Sequence, residues 1–193
     1  MKLTMVVVGV LVLIWCWFGR NSIRRSRHLR MQKKARNQLD VINRLPEFRQ
    51  RIAYLRKINA FVFEEMLMEA IERAGHTVYR NKRYTGDGGI DGKALIDGHH
   101  YLIQAKRYTG HVTTEHVSSF SQLVKKNKCR GIFCHTGKTR PATKDSIRGI
   151  EYIEIISGQK LLDLLEGKYI PGSRFNIHPM NRSNSLSNRD NYG

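Results

Sequence analysis

Apolar residues recur at two different spacings along the chain. Between residues 60 and 74 they return every three or four positions, which predicts a helix with one buried face, capped by Asn59 and ended by Gly75. The other predicted elements are strands over 77–80, 90–96, 99–107, 130–135 and 151–156, and helices over 113–127, 139–148 and 157–165. An antiparallel meander followed by α/β units predicts an α/β fold with a mixed sheet and helices on both faces.

The second and third strands form the best-defined pair. The dipeptide Asp-Gly at 97–98 between two apolar runs is typical of a two-residue hairpin turn. Counting back from such a turn pairs Asp91 with Gln104, and Lys106 lies two residues further along on the same face. The opposite face is predicted to be mostly apolar, with Ile90, Ala94, Ile96, Tyr101, Ile103 and Ala105.

One acid, one amide and one amine therefore converge from two strands. Carboxylate and amide oxygens suit a hard cation such as Mg²⁺. A neighbouring lysine can orient a water molecule or hold charge on a phosphate. From spacing alone, an ordinary surface hairpin with scattered polar residues is an equally good interpretation.

The residues at these positions carry a resemblance as well. The run Gly-Asp-Gly-Gly-Ile-Asp-Gly at 86–92, followed by Gln-Ala-Lys-Arg-Tyr at 104–108, resembles the catalytic core of the Mrr-like restriction endonucleases. These belong to the PD-(D/E)xK nuclease superfamily, and Mrr-like members carry Gln in place of the second acid. Their first helix starts with Phe-Glu and ends at a Gly twelve residues after that Phe, a spacing that Phe63-Glu64 and Gly75 match. The resemblance covers about residues 60–165 and implies a restriction-endonuclease-like mixed sheet flanked by helices, with an αβββαβ core.

The resemblance also implies a function and roles for particular residues. Asp91, Gln104 and the Ala105 carbonyl are expected to hold Mg²⁺, with Mn²⁺ as a substitute. Glu64 is expected to complete this site or to bind a second metal or a water, and Lys106 to orient the attacking water. The expected activity is metal-dependent hydrolysis of DNA phosphodiester bonds, in restriction or defence against foreign DNA. The alternative is a DNA-binding module that has the nuclease fold but no turnover.

Charge is distributed unevenly along the 193 residues. The formal net charge is +18 and the sequence pI is about 10.2. Residues 1–58 hold 14 Lys/Arg against Asp40 and Glu47, a charge of +12, and the rest of the chain contributes +6. Such an excess favours a polyanionic partner, either nucleic acid or an anionic membrane surface.

The N-terminal residues favour the membrane among these partners. Residues 3–19 are apolar apart from Thr4, end in aromatic residues, and precede an arginine-rich run over 20–36. This pattern predicts a transmembrane helix over 1–19, in the inner membrane, with everything after residue 19 in the cytoplasm and residues 20–36 near anionic lipid. A cleaved signal peptide is less consistent with the sequence, since no Ala-x-Ala site follows the apolar run.

The remainder of the chain divides around the nuclease-like region. Residues 20–58 are interpreted as a basic helical linker broken near Pro46, residues 59–168 as the nuclease domain, and residues 169–193 as a disordered polar tail. DNA is the expected partner of the domain's own Lys and Arg residues. The oligomeric state is left open between a monomer and a dimer.

Other candidate sites have weaker support. The three cysteines do not form a disulfide framework and indicate a reducing compartment; they are Cys16, Cys129 and Cys134. Gly-Lys-Thr at 137–139 lacks the earlier glycine of a phosphate-binding loop, because that position is Ile132. His99 and His100 are adjacent on one strand and point to opposite faces, so they cannot share a metal.

Overall fold

The computed structural model describes residues 2–81, 89–141, 143 and 150–173. Its elements are, in chain order, α1 (Lys2–Arg44), α2 (Phe48–Lys57), α3 (Ala60–Arg73), β1 (Thr77–Arg80), β2 (Gly92–Ile96), β3 (His99–Lys106), α4 (Thr114–Lys126), β4 (Arg130–His135), β5 (Ile153–Ser157) and α5 (Gly158–Leu165). Most of the helix predicted over 139–148 lies outside the described residues, as do the run 82–88 and the tail from 174.

The five strands form one mixed sheet in the order β1-β2-β3-β4-β5. The first three strands pair antiparallel, and β3, β4 and β5 pair parallel. Helices α1, α2, α3 and α5 pack on one face, and α4 packs on the other. The predicted α/β fold with helices on both faces of a mixed sheet is confirmed.

The turn between β2 and β3 has the geometry that its sequence predicts. Asp97 has a φ of 49° and Gly98 a φ of 76°, which is the left-handed pair of a type I′ turn. The turn pairs Ile96 with His99, and the ladder continues to Gly92 opposite Ile103. The predicted register of the hairpin is therefore confirmed from Gly92 to Ile103, and Asp91 lies one residue before β2 begins.

The prediction that Ile90 lies on the same face of the sheet as Ala94 was wrong. Ile90 packs with the apolar cluster on the α4 side, which contains Leu102 and Phe133, rather than with Ala94 on the opposite side. The reason is that β2 begins at Gly92, so strand alternation does not extend back to residue 90.

The prediction of a membrane span over 1–19, with an inner-membrane location, is also wrong. In the described part of the chain, no helix is long and apolar enough to cross a membrane. The apolar run over 3–19 is continuous with the basic residues that follow it, because both belong to the single helix α1.

The C-terminal half of α1 is part of the packed body. Ala35, Leu39 and Ile42 are fully buried in the same cluster as α3 and α5, and Leu55 of α2 joins them. Residues interpreted from the sequence as a basic linker thus contribute to the core. The domain limits at 59 and 168 stay a prediction.

An ion-pair network holds α1, α3 and β1 together. Arg80 of β1 donates to Glu65 at 2.9 Å and to both carboxylate oxygens of Glu72 at 3.2 and 2.7 Å. Glu69, on the same face of α3, accepts from Arg36 of α1 at 3.1 Å. Because Glu65 is only 3 % exposed, these partners compensate a carboxylate that burial would otherwise penalise.

A second buried carboxylate fixes the end of the described chain. Glu154 of β5 is fully buried and binds the Lys160 ammonium at 2.5 Å and the Gly172 amide at 2.7 Å. The Tyr169 hydroxyl donates to it as well. One side chain therefore joins β5, α5 and the segment that follows α5.

We expect Glu154→Gln to lower the free energy of unfolding by about 2 kcal/mol, because the amide cannot accept from the ammonium and the backbone amide together. Urea unfolding of the full chain measures this change. Glu151→Gln, in the exposed turn before β5, is the matched control and should stay within about 0.5 kcal/mol of the unaltered protein. Equal small effects of the two changes would contradict the role of Glu154.

Candidate active site

The candidate site lies at one end of the sheet. Antiparallel pairing places the start of β2 beside the end of β3, so Asp91 and Lys106 belong to the same end. Helix α3 begins at this end too, since Ile58 just before it accepts a hydrogen bond from Arg107, which directly follows β3. Three elements thus converge there.

Asp91 is bound to the β3 backbone through two contacts. Its backbone amide donates to the Ile103 carbonyl at 2.8 Å. Its carboxylate oxygen Oδ2 accepts from the Ala105 amide at 2.7 Å. The carboxylate is therefore held against β3 at the position between Gln104 and Lys106.

Gln104 presents a buried oxygen at this place. Its side-chain Nε2 donates to the Gly89 carbonyl at 2.5 Å, which fixes which way the amide points. The residue is only 6 % exposed, and its Oε1 is buried with no hydrogen-bond partner among the described residues. Buried polar atoms without partners are rare, and a bound ion is one common explanation for them.

Gly89 has two reasons to be glycine. Its φ of 86° lies in the left-handed region, where a Cβ is costly. A Cβ built on it would also lie 2.7 Å from Gln104 Nε2. The backbone of residue 89 can approach the glutamine amide only because no side chain intervenes.

Glu64 faces this site from α3. The pKa of Glu64 is raised from its ordinary value to about 8, mainly by burial and also by the negative charges of Asp91 and Glu65. The positive charges of Lys106 and Arg107 act in the opposite direction. The influence of Asp91 and Lys106 on Glu64 shows that a helix and two strands contribute to one electrostatic environment.

Lys106 ends β3 and is partly exposed. In the parallel ladder it lies opposite His135, whose side chain is fully buried. Burial lowers the pKa of His135 to about 4, so this ring is neutral at neutral pH and adds no positive charge beside the lysine. Of the two opposed residues at the ends of β3 and β4, Lys106 is thus the one that supplies positive charge.

Two arginines fasten the start of α3 to the ends of the strands. The Arg56 guanidinium at the end of α2 donates to the Thr136 carbonyl, just beyond β4, at 3.0 and 2.8 Å. Arg107 donates back to the carbonyls of Arg56 and Ile58. These bonds fix the α2–α3 connection and with it the position of Glu64.

The donor set suits a divalent cation with oxygen ligands. Among the described residues there is no group of three or more His, Cys, Asp or Glu side chains that could hold a metal. The site instead combines two carboxylates, Glu64 and Asp91, with the amide oxygen of Gln104. Mg²⁺ accepts such a mixed set of oxygens and retains water ligands. The partnerless Gln104 Oε1 is the observation that fits a cation at this place.

The structure therefore brings four predicted side chains to one end of the sheet, namely Glu64, Asp91, Gln104 and Lys106. The predicted role of the Ala105 carbonyl as a metal ligand stays a prediction. Sequence reasoning missed the positioning residues Gly89 and Arg107. The run of glycines before Asp91 was a signal for Gly89. Arg107 lies in the motif at 104–108, but its positioning role could not be predicted, because its acceptors are about 50 residues away in the sequence.

Comparisons with known proteins place this end of the sheet inside a known family. A family model described as restriction endonuclease, of the Mrr catalytic type, matches residues 55–165. Among solved structures, the chain is similar to the MspJI restriction endonuclease in complex with a 27-mer oligonucleotide, with 18% sequence identity and a TM-score of 0.41. That match covers 68% of this chain and 30% of the other chain. No curated protein matches the chain.

We expect Gly89→Ala to weaken binding of Mn²⁺ by about 10-fold, because the new Cβ displaces the Gln104 amide, and a displaced supporting group costs a metal site that much affinity. Isothermal titration calorimetry with Mn²⁺ in the absence of DNA measures this affinity. Gly167→Ala is the control, since Gly167 follows α5, away from the hairpin, and has a similar φ of 75° but open space around its Cβ position. Unchanged Mn²⁺ affinity in Gly89→Ala would contradict the positioning role.

The raised pKa of Glu64 predicts a pH dependence of stability. The folded protein binds this proton more tightly than the unfolded chain, in which the carboxyl titrates near 4.5. The free energy of unfolding should therefore fall as pH rises from about 4.5 to about 8. In chelator, the Tm of Glu64→Gln should change less with pH than the Tm of the unaltered protein. At pH 9, the variant should have the higher Tm of the two.

Glu72→Gln is the control with the opposite sign. Its hydrogen bonds with Arg80 lower the pKa of Glu72, so its contribution to stability is present above its unfolded pKa and is lost in acid. Glu72→Gln should lower Tm at pH 7 to 9 and have less effect at low pH. A Glu64→Gln variant that follows the same trend would contradict the raised pKa.

Proposed function

Because the chain belongs to the Mrr-type restriction endonuclease family, whose members are nucleases that act on DNA, we propose that it is a Mg²⁺-dependent DNA endonuclease. Its active site in this proposal comprises Glu64, Asp91, Gln104 and Lys106. Mn²⁺ is the expected substitute for Mg²⁺. The biological role that follows is restriction of, or defence against, foreign DNA.

One observation carries the proposal beyond the family. Gln104 Oε1 is buried and partnerless among the described residues, and the next residue, Ala105, donates its amide to the Asp91 carboxylate. Leaving a buried acceptor without a partner costs about 1–3 kcal/mol in the absence of a ligand. A cation at this position would supply the missing partner.

The four side chains would divide the reaction between them. Asp91, Gln104 and Glu64 would hold the divalent cation, which stabilises the negative charge that develops on the scissile phosphate. The Lys106 ammonium would donate a hydrogen bond to the attacking water or to a phosphate oxygen. In the metal-free protein Glu64 holds a proton at neutral pH, and it would release this proton when a cation enters.

The competing function is a DNA-binding module that has the nuclease fold but no turnover. What favours it is that a site with two carboxylates and an amide has one negative ligand fewer than a site with three acids. Cleavage by purified protein decides between the two functions.

We expect the full chain to nick or linearise supercoiled plasmid in Mg²⁺ and to lose this activity in chelator. Asp91→Asn and Lys106→Met should each lower the rate by about 100-fold or more, the usual cost of removing one charged group that acts on the transition state. Gel analysis of plasmid over time measures the rate. The full chain is required, because α1 and α2 contribute to the core.

Lys93→Met is the matched control, since Lys93 is exposed on the same hairpin. It should cleave within about threefold of the unaltered protein. If the unaltered protein binds plasmid but leaves it as intact as Asp91→Asn does, in both Mg²⁺ and Mn²⁺, the chain is a binding module and the proposed activity is wrong.

A further inference from the structure

Helix α1 carries a dense positive charge that its own residues do not neutralise. Eight Lys or Arg residues occur between positions 20 and 36, and no Asp or Glu precedes Asp40. The described side chains among them are exposed, namely Arg25, Arg27, Arg30, Lys33, Lys34 and Arg36. Such a concentration of exposed positive charge is typical of a surface that binds a polyanion.

The contacts of α1 with α3 show where these basic residues lie. The Arg27 guanidinium lies 5.3 Å from the centre of the Phe61 ring, and Arg36 binds Glu69 at 3.1 Å. Residue numbers rise together in the two helices, so α1 and α3 run parallel. Residues before Arg27 therefore extend beyond the N-terminus of α3.

That end of the molecule is the end with the candidate active site. Glu64 lies one turn after Phe61 on α3, and its electrostatic partners are Asp91 and Lys106. The residues of α1 around Arg27 thus border the catalytic end of the sheet, and the basic residues after Arg27 continue from there alongside α3. At a rise of 1.5 Å per residue, residues 25–34 are about 15 Å long, comparable with four base pairs of duplex DNA.

We propose that the exposed basic residues of α1 from Arg25 to Lys34 form a contact surface for the phosphate backbone of duplex DNA, which begins at the active-site end of the sheet and holds the substrate there. This inference rests on the proposed nuclease function, from which it takes the identity of the substrate. The family match begins only at residue 55, so the surface lies outside the matched region. Phosphate contacts position a duplex without reading its sequence, so the surface adds affinity rather than base specificity.

A second basic cluster, for which the sequence also predicts contact with DNA, lies far from the candidate active site. Lys125 and Lys126 end α4, just before β4 begins at Arg130. Arg130 pairs with Tyr101 near the start of β3, whereas the active-site end is at Lys106. These two lysines are therefore at the opposite end of the sheet and provide a matched comparison.

The test compares two double variants of the full chain that each remove two positive charges, Arg25→Gln/Arg30→Gln and Lys125→Gln/Lys126→Gln. Binding to a 30-base-pair duplex is measured by fluorescence anisotropy in chelator, where cleavage is prevented, between 50 and 200 mM salt. The α1 variant should bind at least about 5-fold more weakly at low salt, and its plot of log K against log salt should be less steep by about 0.9 for each phosphate that the protein no longer neutralises. The α4 variant should match the unaltered protein within about twofold.

Each result has a definite meaning. Glutamine is a good helix former, so both variants should keep the circular dichroism and Tm of the unaltered protein, which separates a weaker attraction to phosphate from a change in structure. Equal affinities and slopes for the α1 variant and the unaltered protein would overturn the inference, even where plasmid cleavage confirms the nuclease. A weakened α1 variant of a protein that does not cleave would support the surface and reject the nuclease. A chain that binds no DNA would overturn both.

Discussion

The candidate site depends on the two-residue turn at Asp97 and Gly98. Both residues adopt left-handed φ values, which only a few residue types accept at low cost, and this fixes the number of residues in the loop. A loop longer by one residue would shift the register and turn the side chains of one strand to the other face. Asp91 would then no longer lie against the backbone between Gln104 and Lys106, as it does through the Ala105 amide.

The third component, Glu64, is placed by charge rather than by strand pairing. Arg36 of α1 and Arg80 of β1 engage three carboxylates of α3, while Arg56 and Arg107 hold the chain just before that helix. The helix is thereby fixed both along its length and at its start. The remaining acid on its inner side faces the strands, where burial and neighbouring carboxylates raise its pKa.

Sequence patterns predicted the regular parts of this arrangement. The period of apolar residues gave α3, and the turn dipeptide gave the register, because both depend on neighbours within a few positions. Two features escaped prediction because they depend on distant contacts. The abundant charge of α1 concealed the buried stripe of Ala35, Leu39 and Ile42, and an apolar run was interpreted as a membrane span although it is the start of that same helix. The orientation of Gln104 depends on a carbonyl 15 residues away.

The glutamine at position 104 has a consequence for the charge balance of the site. The Gly89 carbonyl requires a donor, which an amide provides and a carboxylate does not. With a neutral amide, Glu64 and Asp91 give a formal charge of −2 when both are ionised, which one divalent cation would cancel. A third acid would leave a residual negative charge facing a polyanionic strand. By requiring an amide at position 104, the Gly89 carbonyl would thus keep the metal-bound site near electrical neutrality. Lys106 would then supply the net positive charge that faces the phosphate.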